Sequence, residues 1–132
     1  MRVTPEQIST LEDNEIFVFG SNESGIHGAG AARFAYDNFG AFYEQGFGLM
    51  GQSFGIPTKD WFITKLDIQV VKFYVDRFID FAKKSKQYTF YVTKIGCGLA
   101  GFTEEEIAPL FSELIDDENV YLPVEFITII NK

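Results

Sequence analysis

Glycine and other small residues cluster in two segments of this chain, and their pattern is typical of phosphate binding. The first segment spans residues 20–32 and the second spans residues 95–102. Glycine lets backbone N–H groups approach a ligand closely, and the N-terminus of a following helix favours an anion. The two segments therefore predict a phosphate-bearing ligand held between them.

Each glycine segment follows a short apolar run that predicts a buried strand, at residues 16–19 and 88–95. Residues 52–57 and 125–130 predict two further strands, and residues 41–51 predict a loop. Helices are predicted over residues 28–38 and 66–84 and from Thr103 onwards, with a short helix starting near Thr4. This alternation predicts an α/β fold with three α/β/α layers, in which a mostly parallel mixed sheet lies between helices. Ligands of such sheets bind beyond the carboxyl ends of the strands, where both glycine segments fall.

The composition fits a single domain over residues 1–132, with a core rich in its 15 phenylalanines. A net charge of −8 argues against nonspecific binding to nucleic acid, which needs clustered lysine and arginine. Cys97 is the one cysteine, and neither a leader peptide nor a membrane-spanning stretch is recognisable. We therefore expect a cytoplasmic protein without a membrane partner; its oligomeric state stays open.

Two familiar nucleotide motifs do not fit. The run from Gly28 to Arg33 departs from the dinucleotide fingerprint, because Arg33 occupies the third glycine position and the run does not open directly off the strand. The Gly-Lys-Ser/Thr of a phosphate-binding P-loop is missing. His27 is the one histidine, so a histidine-based metal cluster is not expected, and we expect neither metal nor cofactor.

Four blocks of sequence together resemble the macrodomain family. They are FVFGSN at residues 17–22, HGAGAA at residues 27–32, GQSFGIPTKD at residues 51–60 and IGCGLAGF at residues 95–102. The chain is most similar to the branch with the terminal ADP-ribose protein glycohydrolase and ADP-ribose-1″-phosphate phosphatases. It also looks like a small macro-like family of phages and bacteria. The resemblance covers residues 15–111.

The resemblance implies an ADP-ribose site. Residues 22–32 would lie along the distal ribose and one phosphate, and residues 96–102 would cradle the diphosphate. Glu15 would accept a hydrogen bond from the adenine amino group, and Phe102 would lie near the distal ribose. The ligand-binding residues implied in the two loops are Gly20, Ser21, Asn22, Gly28, Ala29, Gly30, Gly96, Cys97, Gly98, Leu99, Ala100, Gly101 and Phe102.

The residue types leave catalysis open. Lys59 corresponds to a lysine of the glycohydrolase branch, whereas the acid of that branch falls on Ala100, which transfers no proton. Asp60 is either a substitute base or part of a solvated turn. His27 is either a phosphate contact and acid–base group or a packed side chain.

Two further residues have alternative roles. Cys97 is either a nucleophile or a small buried thiol. Gln52 begins a predicted strand, and its side chain is expected to face the ligand.

The resemblance implies two alternative functions: a module that binds ADP-ribose or a related nucleotide diphosphate derivative, and a hydrolase that removes ADP-ribosyl groups or the 1″-phosphate. The partner is the free ligand or an ADP-ribosylated protein. A third alternative is a structural phage or plasmid accessory protein that keeps only the fold.

Overall fold

A computed structural model describes residues 2–132 of the chain. The strands are β1 (Glu15–Asn22), β2 (Gly48–Met50), β3 (Ser53–Lys59), β4 (Thr89–Val92) and β5 (Val120–Tyr121). The helices are α1 (Gly30–Asn38), α2 (Ile68–Lys84), α3 (Glu104–Ile107) and α4 (Val124–Ile130), and a 3-10 helix (Ala108–Leu114) follows α3. The chain is therefore an α/β protein, as the alternating pattern predicted.

The strands form one mixed five-stranded sheet in the order β2-β3-β1-β4-β5. Strand β1 pairs in parallel with β3 and β4, and β4 pairs in parallel with β5, whereas β2 is antiparallel to β3. The pairing of β1 with β3 shifts register between Ser21 and Asn22, so that Asn22 faces Lys59. The carboxyl ends of β1, β3 and β4 therefore meet at one edge of the sheet.

Buried side chains on both faces of β1 explain its continuous apolar run. Ile16 and Val18 belong to the larger core, together with buried residues of α2, the 3-10 helix and α4. Phe17 and Phe19 point to the other face and pack with Ala32 and Ala35 of α1. A strand covered on both faces carries apolar residues at successive positions, which is why residues 16–19 show no polar alternation.

Helix α2 follows the prediction closely, because its buried residues recur at three- and four-residue spacing. The side chain of Asp67 caps it by accepting a hydrogen bond from the Gln69 N–H at 2.8 Å. Thr103 and Glu106 form a capping box at the start of α3. Pro109 lies in the following 3-10 helix, where its missing N–H costs no α-helical hydrogen bond.

The structure differs from the predicted elements at four places. Residues 124–130 form α4 instead of a strand. The predicted loop over residues 41–51 contains the short strand β2. No helix starts near Thr4, and the Thr4 N–H instead donates to the Leu122 carbonyl at 2.8 Å. Strand β1 continues through Gly20 to Asn22, beyond the predicted end at residue 19. In residues 2–132, no helix is long and apolar enough to cross a membrane.

Candidate anion-binding cavity

A cavity of about 340 Å³ opens at the edge of the sheet where β1, β3 and β4 end. Its walls come from both glycine segments and from the ends of these strands. From the first segment and β1 the lining residues are Gly20, Ser21, Asn22, Ile26, Gly28, Ala29, Gly30, Ala31 and Ala32; from the second segment and β4 they are Thr93, Lys94, Ile95, Gly96, Gly98, Leu99 and Ala100. Thr58, Lys59 and Ile63 complete the lining. The structure thus brings the two predicted loops together around one cavity.

The N-terminus of α1 forms one wall of this cavity and lacks a cap. Ala29 occupies the cap position, and its side chain has no oxygen to accept the first N–H groups. Among residues 2–132, no hydrogen bond uses the N–H groups of Gly30, Ala31 or Ala32. Unpaired N–H groups at a helix N-terminus carry partial positive charge, so this wall favours an anion. Helices α2 and α3, by contrast, have side-chain caps.

The second glycine segment also has unpaired N–H groups at residues that line the cavity. No hydrogen bond within the described part of the chain uses the N–H groups of Gly98, Leu99 or Ala100. Phe102 N–H and Gly101 N–H bind back to the carbonyls of Gly96 and Gly98 at 2.8 and 3.1 Å, which fixes the turn. The loop is therefore held by its own backbone while three donors remain free beside the cavity.

The glycines around the cavity fall into two groups with different physical roles. Gly96 has a φ of +77°, and a Cβ atom there would lie 3.1 Å from the Phe102 ring, so its glycine is required by the fold. Gly28 and Gly98 have neither a positive φ nor a close neighbour, because a Cβ at Gly98 would meet nothing within 4 Å and one at Gly28 only Ile26 at 4.0 Å. Packing therefore does not require glycine at these two positions, and both line the cavity.

Two lysines and no carboxylate line the cavity. The Lys94 ammonium lies 3.8 Å from a Glu104 oxygen and 3.6 Å from a Glu125 oxygen, so its charge is largely balanced. Lys59, at the end of β3, has no carboxylate within ion-pair distance among residues 2–132. Its uncompensated positive charge adds to the two sets of free N–H groups.

The remaining polar side chains of the lining are already engaged in holding the loops. Asn22 donates to the Ile26 carbonyl at 2.7 Å and accepts from the Ile26 N–H and the Ser24 hydroxyl at 2.9 Å. The Ser21 hydroxyl donates to the Gly46 carbonyl. Residues 41–47, within the predicted loop over residues 41–51, therefore support the first glycine segment through these contacts and through the Glu44 N–H bond to the Gly25 carbonyl.

His27 does not reach the cavity. Its ring is fully buried, and Nε2 lies 2.6 Å from the Phe42 carbonyl and 3.1 Å from the Gln45 carbonyl. Because both partners are acceptors, Nε2 carries the proton as donor. The ring packs edge-on against Phe19 and stacks on Tyr43. Of the alternatives for His27, the geometry therefore favours packing that fixes residues 41–47 against the first loop.

Glu15 and Gln52 lie at the opposite end of the sheet from the cavity. Glu15 is the first residue of β1, and its carboxylate accepts hydrogen bonds from the Tyr91 hydroxyl and the Glu12 N–H, both at 2.8 Å. Gln52 donates to the Glu12 carbonyl at 2.7 Å. At about 3.3 Å per residue, the eight residues of β1 put Glu15 about 23 Å from Asn22. The structure therefore brings neither the Glu15 carboxylate nor the Gln52 side chain to the cavity.

Asp60 and Cys97 have structural surroundings rather than catalytic ones. Asp60 lies outside the cavity lining, and one carboxylate oxygen accepts the N–H groups of Phe62 and Thr64 at 2.9 Å. Burial, with a smaller contribution from Glu104, raises the pKa of the Cys97 thiol to about 11, so it is protonated at neutral pH and no ready nucleophile.

Gly101 and Phe102 also lie outside the lining. Phe102 is buried and carries the Lys65 ammonium 4.4 Å from its ring centre, so it is a packing residue beneath the second loop.

No family model, curated protein or solved structure matches this chain. The similarity to macrodomains is therefore limited to the four sequence blocks.

Proposed function

We propose that this protein binds ADP-ribose or a related nucleotide diphosphate derivative, with the phosphates between the N-terminus of α1 and residues 96–100. The observation that carries the proposal is that residues with unpaired N–H groups from both loops line one cavity, which contains Lys59 and no carboxylate. A phosphate can accept several N–H groups at once, and its negative charge strengthens each of these hydrogen bonds. The resemblance to macrodomains and their three-layer arrangement supports the same ligand class.

A second cavity of about 430 Å³ offers a place for the nucleoside. It shares Gly30, Ala31 and Thr93 with the anion cavity, and we propose that one ligand extends from one cavity into the other. Phe34 and Glu6 stand in its wall, and they supply an aromatic face and a carboxylate that can accept from an exocyclic amine. This cavity replaces Glu15 as the proposed base subsite.

Binding is favoured over hydrolysis by the side chains of the lining. Hydrolysis of an ADP-ribosyl bond needs a group that accepts or donates a proton near the reacting atom. The lining contains no carboxylate, no imidazole and no cysteine, and Ala100 stands at the position of the acid of the glycohydrolase branch. A protonated Lys59 can stabilise the negative charge of a phosphate, but it cannot accept a proton from water.

Calorimetric titration with ADP-ribose, AMP, NAD and inorganic phosphate tests the proposal. We expect micromolar affinity for ADP-ribose, weaker binding of AMP, and a further loss for phosphate alone, since each truncation removes contacts from one cavity. A Glu6→Gln variant should weaken ADP-ribose binding and leave phosphate binding unchanged. Absence of binding to all four compounds by the folded wild-type protein would refute the proposal.

A further inference from the structure

Exposed apolar side chains surround the mouth of the anion cavity. Each of the three loops that line the cavity contributes at least one, and together they form what we call the apolar rim: Ile26, Trp61, Phe62, Ile63 and Leu99. Trp61 is 62% exposed, Phe62 82% and Leu99 73%. Large apolar residues from three loops at one place indicate a binding surface rather than scattered surface residues.

The turn that carries Trp61 and Phe62 is held rigidly although its side chains face solvent. The backbones of Lys59 and Lys65 form an antiparallel β-bridge at the base of the turn, and the Asp60 N–H donates to the Thr64 carbonyl at 2.7 Å. The Asp60 carboxylate accepts two N–H groups from inside the turn. A surface that is ordered before contact loses less conformational entropy when a partner binds.

Ile63 adds a second sign that the rim has a function. Its φ is +65°, a left-handed conformation that a β-branched residue rarely adopts and that glycine or asparagine would adopt with less strain. Ile63 nevertheless lines the cavity mouth and stays 40% exposed, so its side chain adds little to the core. Unfavourable backbone geometry retained for an exposed apolar side chain is typical of binding sites.

The rim extends beyond the reach of the small ligand. Trp61 and Phe62 do not line the cavity, but they lie on the turn between Lys59 and Ile63, which both line it. A net charge of −8 disfavours an extended polyanion such as a nucleic acid strand or an anionic bilayer, whereas a single diphosphate needs only the local N–H groups and Lys59. Tryptophan, phenylalanine, leucine and isoleucine at a rigid surface match the apolar side chains of a polypeptide.

We propose that the apolar rim docks the polypeptide segment that carries the phosphate-bearing group, and that it selects segments with apolar side chains beside the modified residue. The inference rests on the proposed function of the cavity. The phosphates then anchor the modified residue in the cavity, while the flanking side chains pack on the turn over residues 60–64.

The test compares three probes: free ADP-ribose, a mono-ADP-ribosylated peptide with Leu and Phe flanks, and the same peptide with Gly and Ser flanks. Wild-type protein should bind the apolar-flanked peptide at least tenfold more tightly than the Gly/Ser-flanked one. A double Trp61→Ser, Phe62→Ser variant should lose this preference and keep its affinity for free ADP-ribose within twofold. Phe73→Ser, which removes an exposed ring of α2 outside the rim, is the matched control and should behave as wild type.

The outcomes separate the two proposals. If the wild-type protein binds none of the probes, the proposed function and the rim proposal both fail. If free ADP-ribose binds but the two peptides bind equally, only the rim proposal fails. Rim-dependent binding of 5′-phosphorylated single-stranded DNA or phosphatidylglycerol vesicles, without a peptide preference, would overturn the assignment of a polypeptide partner.

Discussion

Gly98→Val tests the cavity most directly, because this glycine has no structural reason to be glycine. A Cβ there would meet no atom within 4 Å, and φ is not in the left-handed region, so we expect unfolding free energy to change by only about 0.5 kcal/mol. The branched side chain would instead fill space in front of the free N–H groups of the second loop.

The expected loss of affinity follows from the hydrogen bonds that the valine displaces. A hydrogen bond to a charged group contributes about 1.5–3 kcal/mol, so displacing a phosphate from two of the three N–H groups costs at least about 3 kcal/mol. This corresponds to an affinity at least about 100-fold weaker.

Calorimetry with ADP-ribose measures this loss, and urea denaturation checks the fold. Gly96→Ala is the contrasting variant: its φ of +77° makes a side chain cost about 1–2 kcal/mol of stability. A correctly folded Gly98→Val protein with wild-type affinity would refute the placement of the phosphates.

Three further outcomes are expected. Lys59→Gln should weaken ADP-ribose binding about tenfold or more, because it removes one charged contact that contributes about 1.5 kcal/mol. Lys94→Gln should have a clearly smaller effect in the same titration, because two glutamates already balance the charge of Lys94. His27→Ala should lower the free energy of unfolding by about 2–4 kcal/mol in urea, because it removes a fully buried ring and leaves the Phe42 and Gln45 carbonyls without their donor. Equal stability would contradict its structural role. Iodoacetamide should modify Cys97 in the folded protein about 100-fold more slowly at pH 8 than an unperturbed thiol, because burial raises the pKa of the Cys97 thiol from 9.0 to about 11. The modification rate should increase with pH until the pH reaches about 11. Rapid modification at neutral pH would contradict the burial of this thiol.

Local sequence was sufficient for elements whose pattern has one physical solution. The spacing of Val71, Val75 and Phe78 fits only a helix with one buried face, and α2 forms there. Thr103 followed by Glu106 three residues later has the donors and acceptors of a capping box, which forms at the start of α3. Arg33 and Asp37 lie one helical turn apart and make an ion pair at 3.0 Å.

Local sequence was insufficient where partners from distant parts of the chain decide the outcome. Residues 125–130 are a short apolar run, which fits a buried strand or a buried helix equally well, and they pack as α4 because Phe126 meets Phe111 of the 3-10 helix. The three residues of β2 have little strand pattern of their own and are fixed by pairing with β3.

The same division applies to the candidate site. The sequence by itself determined that two glycine segments follow buried strands, and parallel pairing of β1 and β4 made it necessary that both lie at one edge of the sheet. Only the tertiary structure decided which of their neighbours face the cavity. His27 turns away because acceptors 15 and 18 residues later in the chain hold its ring, and Lys59 faces in because the register of β3 against β1 places it beside Asn22.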